Sequence, residues 1–253
     1  MAFKRKAGEN LRTYVKRYKR TQRRQRRRFK ATGTTRIAKV AKRVINRMTE
    51  TKRYAVSFAD SGHVELYHNI VGGVASMYSW VINDTDANHM PIQGDNAKSR
   101  IGDRIKVMGW NCNLMLAGKF DRPNINFRVI IYQRKKHNSD LLADSTYEDM
   151  MRAYSSNCIL DDVNTDACRV LKEFRHKRPA ASTILATAKS EYTRAFKFFL
   201  PAPQKHYQFD ATSTSHQNPK IFVAVLCYDH YGSLSTDNIA YAQFNCEMLY
   251  KDA

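Results

Sequence analysis

The sequence lacks the features of disulfide-rich, membrane-spanning and secreted proteins. Its five cysteines are scattered, and no two of them lie in C-x-x-C spacing. This pattern argues against a disulfide framework or a zinc ribbon and favours a reducing compartment. No stretch approaches the roughly 18–20 apolar residues of a membrane helix. The N-terminus has no apolar signal segment, and it has no serine before Ser57, so it does not fit a mitochondrial transit peptide.

Sequence signatures of catalysis are missing as well. There is no G-x-x-x-x-G-K-[ST] phosphate loop, no G-x-S-x-G elbow and no H-E-x-x-H helix. His63 and His68 are five residues apart, so on a strand they would face opposite sides and not share a metal. We therefore expect no enzymatic activity, no cofactor and no metal site. Two acidic groups leave calcium open beside their usual role as turn formers. These groups are Asp161, Asp162 and Asp166, and Asp84 and Asp86.

The positive charge of the chain is concentrated at one end. Residues 1–53 contain 21 Lys or Arg and two acids, a net charge of +19, whereas residues 54–253 contain 22 and 21, a net charge of +1. We therefore divide the chain into a basic arm, residues 1–53, and a nearly neutral body, residues 54–253. A cationic segment of this density repels itself unless an anionic partner lies beside it. A chain of phosphates is such a partner, because Lys and Arg release its condensed counterions on binding.

Two basic clusters dominate the arm, Lys4–Lys6 and Arg23–Arg28, and Tyr14, Tyr18 and Phe29 interrupt the charge. Aromatic rings among cations can stack on unpaired bases, and so dense a run is expected to be disordered until it binds. The clusters also fit a nuclear import signal, which predicts an import receptor as a further partner. The residues predicted to bind nucleic acid are Lys4, Arg5, Lys6, Lys16, Arg17, Lys19, Arg20, Arg23, Arg24, Arg26, Arg27, Arg28 and Lys30.

A basic amphipathic helix is predicted at about residues 35–49, with Thr34 or Thr35 as its cap. Two placements are open for its apolar stripe. The stripe packs on the body or on a neighbouring subunit, or it lies on an anionic membrane. The first placement is favoured because the stripe contains neither Trp nor Phe. Its residues are Ile37, Val40, Ala41, Val44, Ile45 and Met48.

The body is predicted to consist of strands joined by long connections. Nine segments are rich in β-branched and aromatic residues and are bounded by Asn, Asp, Gly or Pro. No regular helices alternate with them, which argues against a parallel α/β sheet. We expect an all-β fold, a single jelly roll (an eight-stranded antiparallel β-sandwich), with the basic arm and the amphipathic helix preceding it. The predicted strands are 53–59, 63–70, 76–82, 103–117, 125–133, 192–200, 205–210, 219–229 and 239–250.

Local patterns add detail to three of these segments. In 103–117 the apolar residues move from odd to even positions, which predicts a β-bulge at Met108-Gly109 and a buried Trp110. Strict alternation in 239–250 predicts one buried face. Ile221–Tyr228 is continuously apolar, which is typical of a strand covered on both faces.

The region 134–191 is predicted to be mainly surface loop, at the exterior or at contacts between subunits. Within it, Ser145–Glu148 matches a capping box and predicts a short helix around Tyr147–Tyr154. Trp80 remains open between core packing and base stacking.

Several motifs of the body occur in a characteristic order. Arg100–Val107 and Trp110–Leu116 are followed by Asn126–Tyr132 and the cationic loop Arg134–Lys136, and later by two segments, Lys197–Pro201 and Ile221–Asp229. In this order, behind a polybasic arm, they resemble the capsid proteins of small circular Rep-encoding single-stranded DNA viruses, the circovirus- and geminivirus-like group. Some geminivirus coat proteins carry Cys/His clusters near the arm. This chain has none, so zinc-dependent DNA binding does not carry over.

The resemblance implies a structural protein that assembles into an icosahedral shell, of about 60 copies in the simplest case. It implies that the arm packages single-stranded DNA, and that the protein resides in the virion and the host nucleus, with no membrane partner. Three alternatives stay open: a jelly-roll coat protein of an RNA virus, a cellular nucleic-acid-binding protein of ribosomal type, and a nuclease. A ribosomal protein would carry basic residues on its globular surface too, and a nuclease would need a carboxylate or metal cluster.

Overall fold

The computed structural model divides the chain into two units, Met1–Glu50 and Thr51–Ala253. In the first unit, Ala38, Val40, Ala41 and Val44 are helical and exposed, and the rest of the helix predicted at 35–49 lies outside the described residues. No helix within the described ranges is long and apolar enough to cross a membrane. The structure describes residues 38, 40–41, 44, 50–58, 63–68, 78–122, 124–135, 150–152, 157–177, 192–210, 214–230, 234 and 236–252.

More than half of the described residues of the second unit lie in strands, and a strand overlaps each of the nine predicted segments. A tenth strand, β6, lies in the region 134–191, where the sequence predicts mainly loop. The strands are β1 Lys52–Val56, β2 His63–Tyr67, β3 Tyr78–Val81, β4 Arg104–Gly118, β5 Ile125–Arg134, β6 Cys168–Lys177, β7 Tyr192–Pro201, β8 His206–Gln208, β9 Ile221–Asp229 and β10 Asn238–Asp252.

The strands form two antiparallel sheets. The six-stranded sheet has the order β1-β10-β4-β7, with β2 also paired to β10 and β8 also paired to β4. Because β1 and β2 follow each other along β10, and β7 and β8 along β4, each of these pairs fills one position. The four-stranded sheet has the order β3-β9-β5-β6. The second unit is therefore a sandwich with four strand positions in each sheet.

The pairing of strands identifies the sandwich as a jelly roll. If β1 with β2 is counted as the first position and β7 with β8 as the sixth, the sandwich has eight positions in chain order. The first then pairs with the eighth (β10), the second (β3) with the seventh (β9), the third (β4) with the sixth, and the fourth (β5) with the fifth (β6). A long hairpin rolled up on itself produces this pairing, and it is the double Greek key of the jelly roll. The predicted fold class, an all-β eight-stranded jelly roll, is confirmed.

The main core lies between the sheets, and β10 shows how the sequence builds it. Ala240, Ala242, Phe244 and the next alternate residues to Tyr250 are buried, whereas Asn245 on the opposite face is exposed. The strand therefore has one apolar face on the core and one polar face outside, as the alternation predicts. Trp110 and Trp80 are both buried in this core, so Trp80 does not serve as a stacking platform on the surface.

The predicted bulge in β4 is present. Leu249 of β10 is opposite Gly109 and Tyr250 is opposite Val107, so Met108 is the extra residue. Gly109 has φ +152°, and a Cβ there would lie 2.3 Å from the carbonyl oxygen of Leu200, which explains the glycine. Beyond the bulge the apolar side chains of β4 return to the core.

A second, smaller core covers the outer face of the four-stranded sheet. Met150, Met151, Cys158 and Ile159 pack there against apolar side chains of β5 and β9. The prediction that Ile221–Tyr228 is covered on both faces is thereby confirmed. Part of the region predicted as exterior loop thus becomes a lid over the sheet, because β5 and β9 present apolar side chains on both faces and must bury both. We call residues 150–152 and 157–168 the covering segment.

Arg128 of β5 fastens the covering segment to the sheet. Its side chain is only 3% exposed, and its Nη1 donates to the carbonyl oxygens of Cys158 at 3.2 Å, Ile159 at 3.4 Å and Asp161. Its Nε donates to a carboxylate oxygen of Glu173 at 2.9 Å. One buried cation therefore satisfies several loop carbonyls that would otherwise lack donors, which is the condition for burying a charge.

The helix predicted around Tyr147–Tyr154 is wrong at Met151 and Arg152. Met150 is helical, but Met151 forms an antiparallel bridge with Val163 instead of continuing the helix. Residues 147–149 and 153–154 lie outside the described ranges. Met150 and Met151 are both buried in the second core, so tertiary packing overrides the local capping signal here.

Candidate nucleic-acid interface

The arm residues predicted to contact nucleic acid all lie outside the described residues. They are Lys4, Arg5, Lys6, Lys16, Arg17, Lys19, Arg20, Arg23, Arg24, Arg26, Arg27, Arg28 and Lys30. Their role stays a prediction. The structure instead locates a second set of cations, on the body.

These body cations lie on β6 and β7, the strands at the ends of the two sheets. The two strands carry six Lys or Arg and one acid, Glu173, a net charge of +5. Since residues 54–253 have a net charge of +1, the remainder of that range has a net charge of −4. The body is therefore neutral only in total, and its positive charge is concentrated along one open edge. The six cations, all exposed, are Arg169, Lys172, Arg175, Lys177, Arg194 and Lys197.

Aromatic side chains fill the space between β6 and β7. The ring of Phe174 on β6 lies 5.2 Å from that of Phe196 and 6.0 Å from that of Phe198 on β7. His176 stacks on Tyr192 at 5.7 Å, and its Nε2 forms a 2.7 Å hydrogen bond with the tyrosine hydroxyl. These rings close the open side of the sandwich, where no further strand of the described chain pairs.

Two cations of the edge rest on these rings. Lys172 Nζ lies 4.5 Å from the centre of the Phe198 ring, and Arg194 lies 5.8 Å from the centre of the Phe196 ring. Such contacts hold a cation in place while leaving its charge available to a ligand. Burial, assisted by the nearby Arg194, lowers the pKa of His176, so that its ring stays neutral at pH 7. The edge therefore holds Lys172 and Arg194 over an aromatic layer, with four further exposed cations beside them, which suits phosphate binding.

Sequence reasoning missed this edge because it placed β6 in a loop. The segment Cys168–Lys177 contains five charged residues, which lowers its apparent strand propensity. Alternation was the signal that could have found it, since Phe174 and His176 alternate with Glu173, Arg175 and Lys177. Charged residues on an edge strand are a usual protection against pairing with other chains.

Two histidines considered as metal ligands have other roles. His63 is exposed on β2, whereas His68 is buried just after that strand. The Nδ1 of His68 accepts a hydrogen bond of 3.1 Å from the backbone N–H of Asp229. Burial lowers the pKa of His68, which keeps this nitrogen an acceptor.

Both acids of one possible calcium group, Asp84 and Asp86, have protein partners. Asp84 accepts a hydrogen bond from Lys220 at 3.2 Å, and Asp86 contacts His89. Asp161 is buried in the covering segment. Within the described ranges, no three His, Cys, Asp or Glu side chains are grouped so that they could hold a metal ion.

All five cysteines are buried reduced thiols. Burial raises the pKa of Cys112 to about 12, and it raises those of Cys227 and Cys246 as well. A thiol of this kind does not form the thiolate that a nucleophile or a metal ligand requires. These cysteines are therefore packing residues of the two cores.

No protein-family model and no curated protein matches the chain. Among solved structures, the chain is similar to one in infectious bursal disease virus Gx strain, with 11% identity and a TM-score of 0.34, over 79% of this chain and 32% of that one. A structure of the T13 particle of the same virus has 11% identity and a TM-score of 0.33, over 79% of this chain and 31% of that one. VP1 of trichodysplasia spinulosa-associated polyomavirus, in complex with 3'-sialyllactose, has 11% identity and a TM-score of 0.12, over 81% of this chain and 76% of that one. The chain thus spans about a third of the two bursal disease virus chains.

Proposed function

We propose that the chain is a structural capsid protein of a small circular single-stranded DNA virus. The jelly-roll body assembles into an icosahedral shell, of about 60 copies in the simplest case. The basic arm packages single-stranded DNA on the inside of that shell. In this proposal the protein has no enzymatic activity and no cofactor, and its basic clusters also serve import into the host nucleus.

The observation that supports this proposal most is the union of two unlike parts in one chain. Jelly rolls serve as viral capsid, lectin and cupin domains. A lectin or a cupin binds a small ligand and gains nothing from an arm of net charge +19. A shell protein must neutralise the phosphates of an enclosed genome, which such an arm does by releasing counterions. The cationic edge of β6 and β7 adds to this capacity.

A charge-matched pair of arm variants tests the role of the arm. In one full-length variant the arginines at positions 23, 24, 26, 27 and 28 become Gln, and in the other they become Lys. We expect the Gln variant to lose packaged nucleic acid, measured by the ratio of absorbance at 260 and 280 nm in purified particles. We expect the Lys variant to keep most of it, because phosphate neutralisation depends on charge. Equal packaging by the Gln variant and the unmodified chain would contradict the proposal.

Salt dependence supplies an independent measurement. If about ten phosphates are engaged on a single strand, the logarithm of the association constant should fall with the logarithm of salt concentration with a slope of about −7. The Gln variant should show a clearly shallower slope. A slope near zero for the unmodified chain would show that the arm does not act through phosphate charge.

Purification separates the alternatives. Particles of tens of subunits, seen by size-exclusion chromatography and electron microscopy, support a capsid protein, whereas monomers support a cellular nucleic-acid-binding protein. Digestion of the particle contents with nucleases specific for DNA or RNA then distinguishes a DNA virus from an RNA virus. RNA contents would keep the capsid role and overturn the proposed cargo.

A further inference from the structure

The outer face of the six-stranded sheet carries a shallow groove. It crosses β10, β4 and β7 and has a volume of about 270 Å³. The surrounding side chains include several that are exposed, among them Asn113, Asn245 and Lys197. The outer face of the other sheet is covered by the second core, so the groove lies on the outer face that this core leaves accessible. The residues lining the groove are Asn113, Leu114, Met115, Ala195, Phe196, Lys197, Gln243 and Asn245.

Strand register arranges the polar groups of the groove in a row. Asn113 of β4 is directly opposite Asn245 of β10 on one side and Lys197 of β7 on the other. Side chains of directly opposed residues in an antiparallel sheet lie about 5 Å apart on the same face. The row therefore presents two amides and an ammonium group side by side, and Gln243 adds a third amide in the next row.

An aromatic ring lies at the border of this row. Phe199 follows Lys197 on the same face of β7 and is 48% exposed. Its ring lies against Gly109, where a Cβ would come within 2.6 Å of the ring. Met115, in the row on the other side, is 37% exposed. Apolar side chains thus flank the amides on both sides along the strand direction.

The charge of this face is positive. Among the strand residues that alternation directs outward, five are cationic and two are acidic, a net charge of +3. One of the acids, Glu247, lies 3.7 Å from Arg53. A second copy of the same face would be repelled by like charge, whereas a polyanion would be attracted. The cations are Arg53, Arg104, Lys106, Lys197 and Lys251, and the acids are Glu65 and Glu247.

We propose that this face binds bases of single-stranded nucleic acid. Asn113, Asn245 and Gln243 offer donors and acceptors to the edges of unpaired bases, as amides do in base recognition. Phe199 and Met115 give the bases apolar contacts, and Lys197 binds a neighbouring phosphate. A duplex hides the faces of its bases by stacking and their Watson–Crick edges by pairing, so the occupant is an unpaired strand. The inference rests on the proposed function and extends nucleic-acid contact from the arm to the body.

The test compares two probes that differ only in their bases. The full chain is titrated by fluorescence anisotropy with a labelled single-stranded DNA oligonucleotide and with an abasic oligonucleotide of equal length. Both carry the same phosphates, so the charge of the arm engages them alike. Stacking on Tyr14, Tyr18 or Phe29 of the arm would also favour the base-bearing strand, and variants of the face separate that contribution. We expect the base-bearing strand to bind at least about tenfold more tightly, since each base contact or stack contributes a factor of that order.

Paired variants assign this preference to the face. The double substitution Asn113→Ala and Asn245→Ala should reduce the preference for the base-bearing strand severalfold and leave the affinity for the abasic strand unchanged. The control is Asn96→Ala with Gln217→Ala, two exposed amides outside the groove, which should change neither value. The arm variant with five Gln should weaken binding of both probes. Failure of the arm proposal and failure of this one are therefore distinguishable.

A photocrosslink gives a second measurement. Ultraviolet irradiation of the full-length complex, followed by mass spectrometry, should attach a nucleotide to a peptide containing Phe199 or Met115. The inference is overturned if the double substitution leaves the preference for bases intact and no crosslink maps to β4, β7 or β10. It is also overturned if the substitution alters only the assembly of subunits, because the face would then be a contact between copies of the chain.

Discussion

The two sheets of the sandwich are built alike on the inside and differently on the outside. The four-stranded sheet is covered on its outer face by a lid with its own small core. The six-stranded sheet leaves amides and cations exposed there. β9 is accordingly buried along almost its whole length, whereas β10 alternates between buried and accessible residues. A jelly roll can thus assign stability to one outer surface and ligand contact to the other.

The largest effect is expected when the same charge is placed on each outer face. Ala224 of β9 is fully buried beneath the covering segment, whereas Ala195 of β7 is exposed. We expect Ala224→Asp to abolish folding of the body, because an unpaired buried carboxylate costs several kcal/mol. Ala195→Asp should change the melting temperature by no more than a few degrees. Similar melting temperatures of the two variants would show that the lid does not seal the sheet.

A smaller loss of stability is expected when the hydrogen bonds from Arg128 to the covering segment are removed. Arg128→Met removes the donor to the carbonyls of Cys158 and Ile159 and leaves them buried. The loss in free energy of unfolding should be about 3–5 kcal/mol, measured by urea denaturation. The matched control is Arg175→Met on β6, whose partly exposed pair with Glu173 spans 3.6 Å. That control should cost no more than about 1 kcal/mol, and equal losses would refute the fastening role of Arg128.

The smallest effect concerns the pH dependence of folding stability, to which the buried His216 contributes. His216 is buried; its Nε2 contacts the Asn83 carbonyl oxygen at 3.1 Å, and its Nδ1 accepts from the N–H of Asn218 at 3.2 Å. Burial lowers its pKa; the nearby Lys220 acts in the same direction, and Asp84 acts against it. The unfolded chain therefore binds the proton first, and stability falls as pH drops below about 6.5.

A conservative substitution isolates this contribution. His216→Gln keeps an amide donor and acceptor, so it should flatten the fall in free energy of unfolding between pH 7.5 and 5.5. Burial also lowers the pKa values of His68 and His176, so these two residues should account for the decrease in stability with falling pH that remains in this variant. The exposed control His206→Gln should leave the slope unchanged. An unchanged slope in the His216 variant would show that this ring is not the titrating group.

Much of the fold was predictable because period-two patterns are strong where one face is buried. The nine predicted strands, the bulge at Met108-Gly109 and the double coverage of Ile221–Tyr228 all follow from such patterns. β6 was missed because its exposed side is almost entirely charged, so its composition resembles a loop. The helix predicted at Tyr147–Tyr154 is wrong at Met151, because this side chain is buried in the second core and its backbone bridges Val163.

The candidate sites show a different limit of prediction. The charge of the arm is visible in composition alone, but the cationic edge needs the topology that brings β6 and β7 to the same side. The groove needs register, because Asn113, Lys197 and Asn245 are far apart in the chain and meet only across three strands. Single residues without a local motif become a site only when long-range pairing is known.

The bulge in β4 sets the parity of everything that follows it along the strand. If β4 kept strict alternation through Met108, the inward and outward side chains beyond Gly109 would exchange faces. Trp110, Cys112 and Leu114 would then point to water, and Asn111, Asn113 and Met115 would enter the core. One irregular step in the backbone thus decides at once what fills the interior of the protein and what it offers to its surroundings.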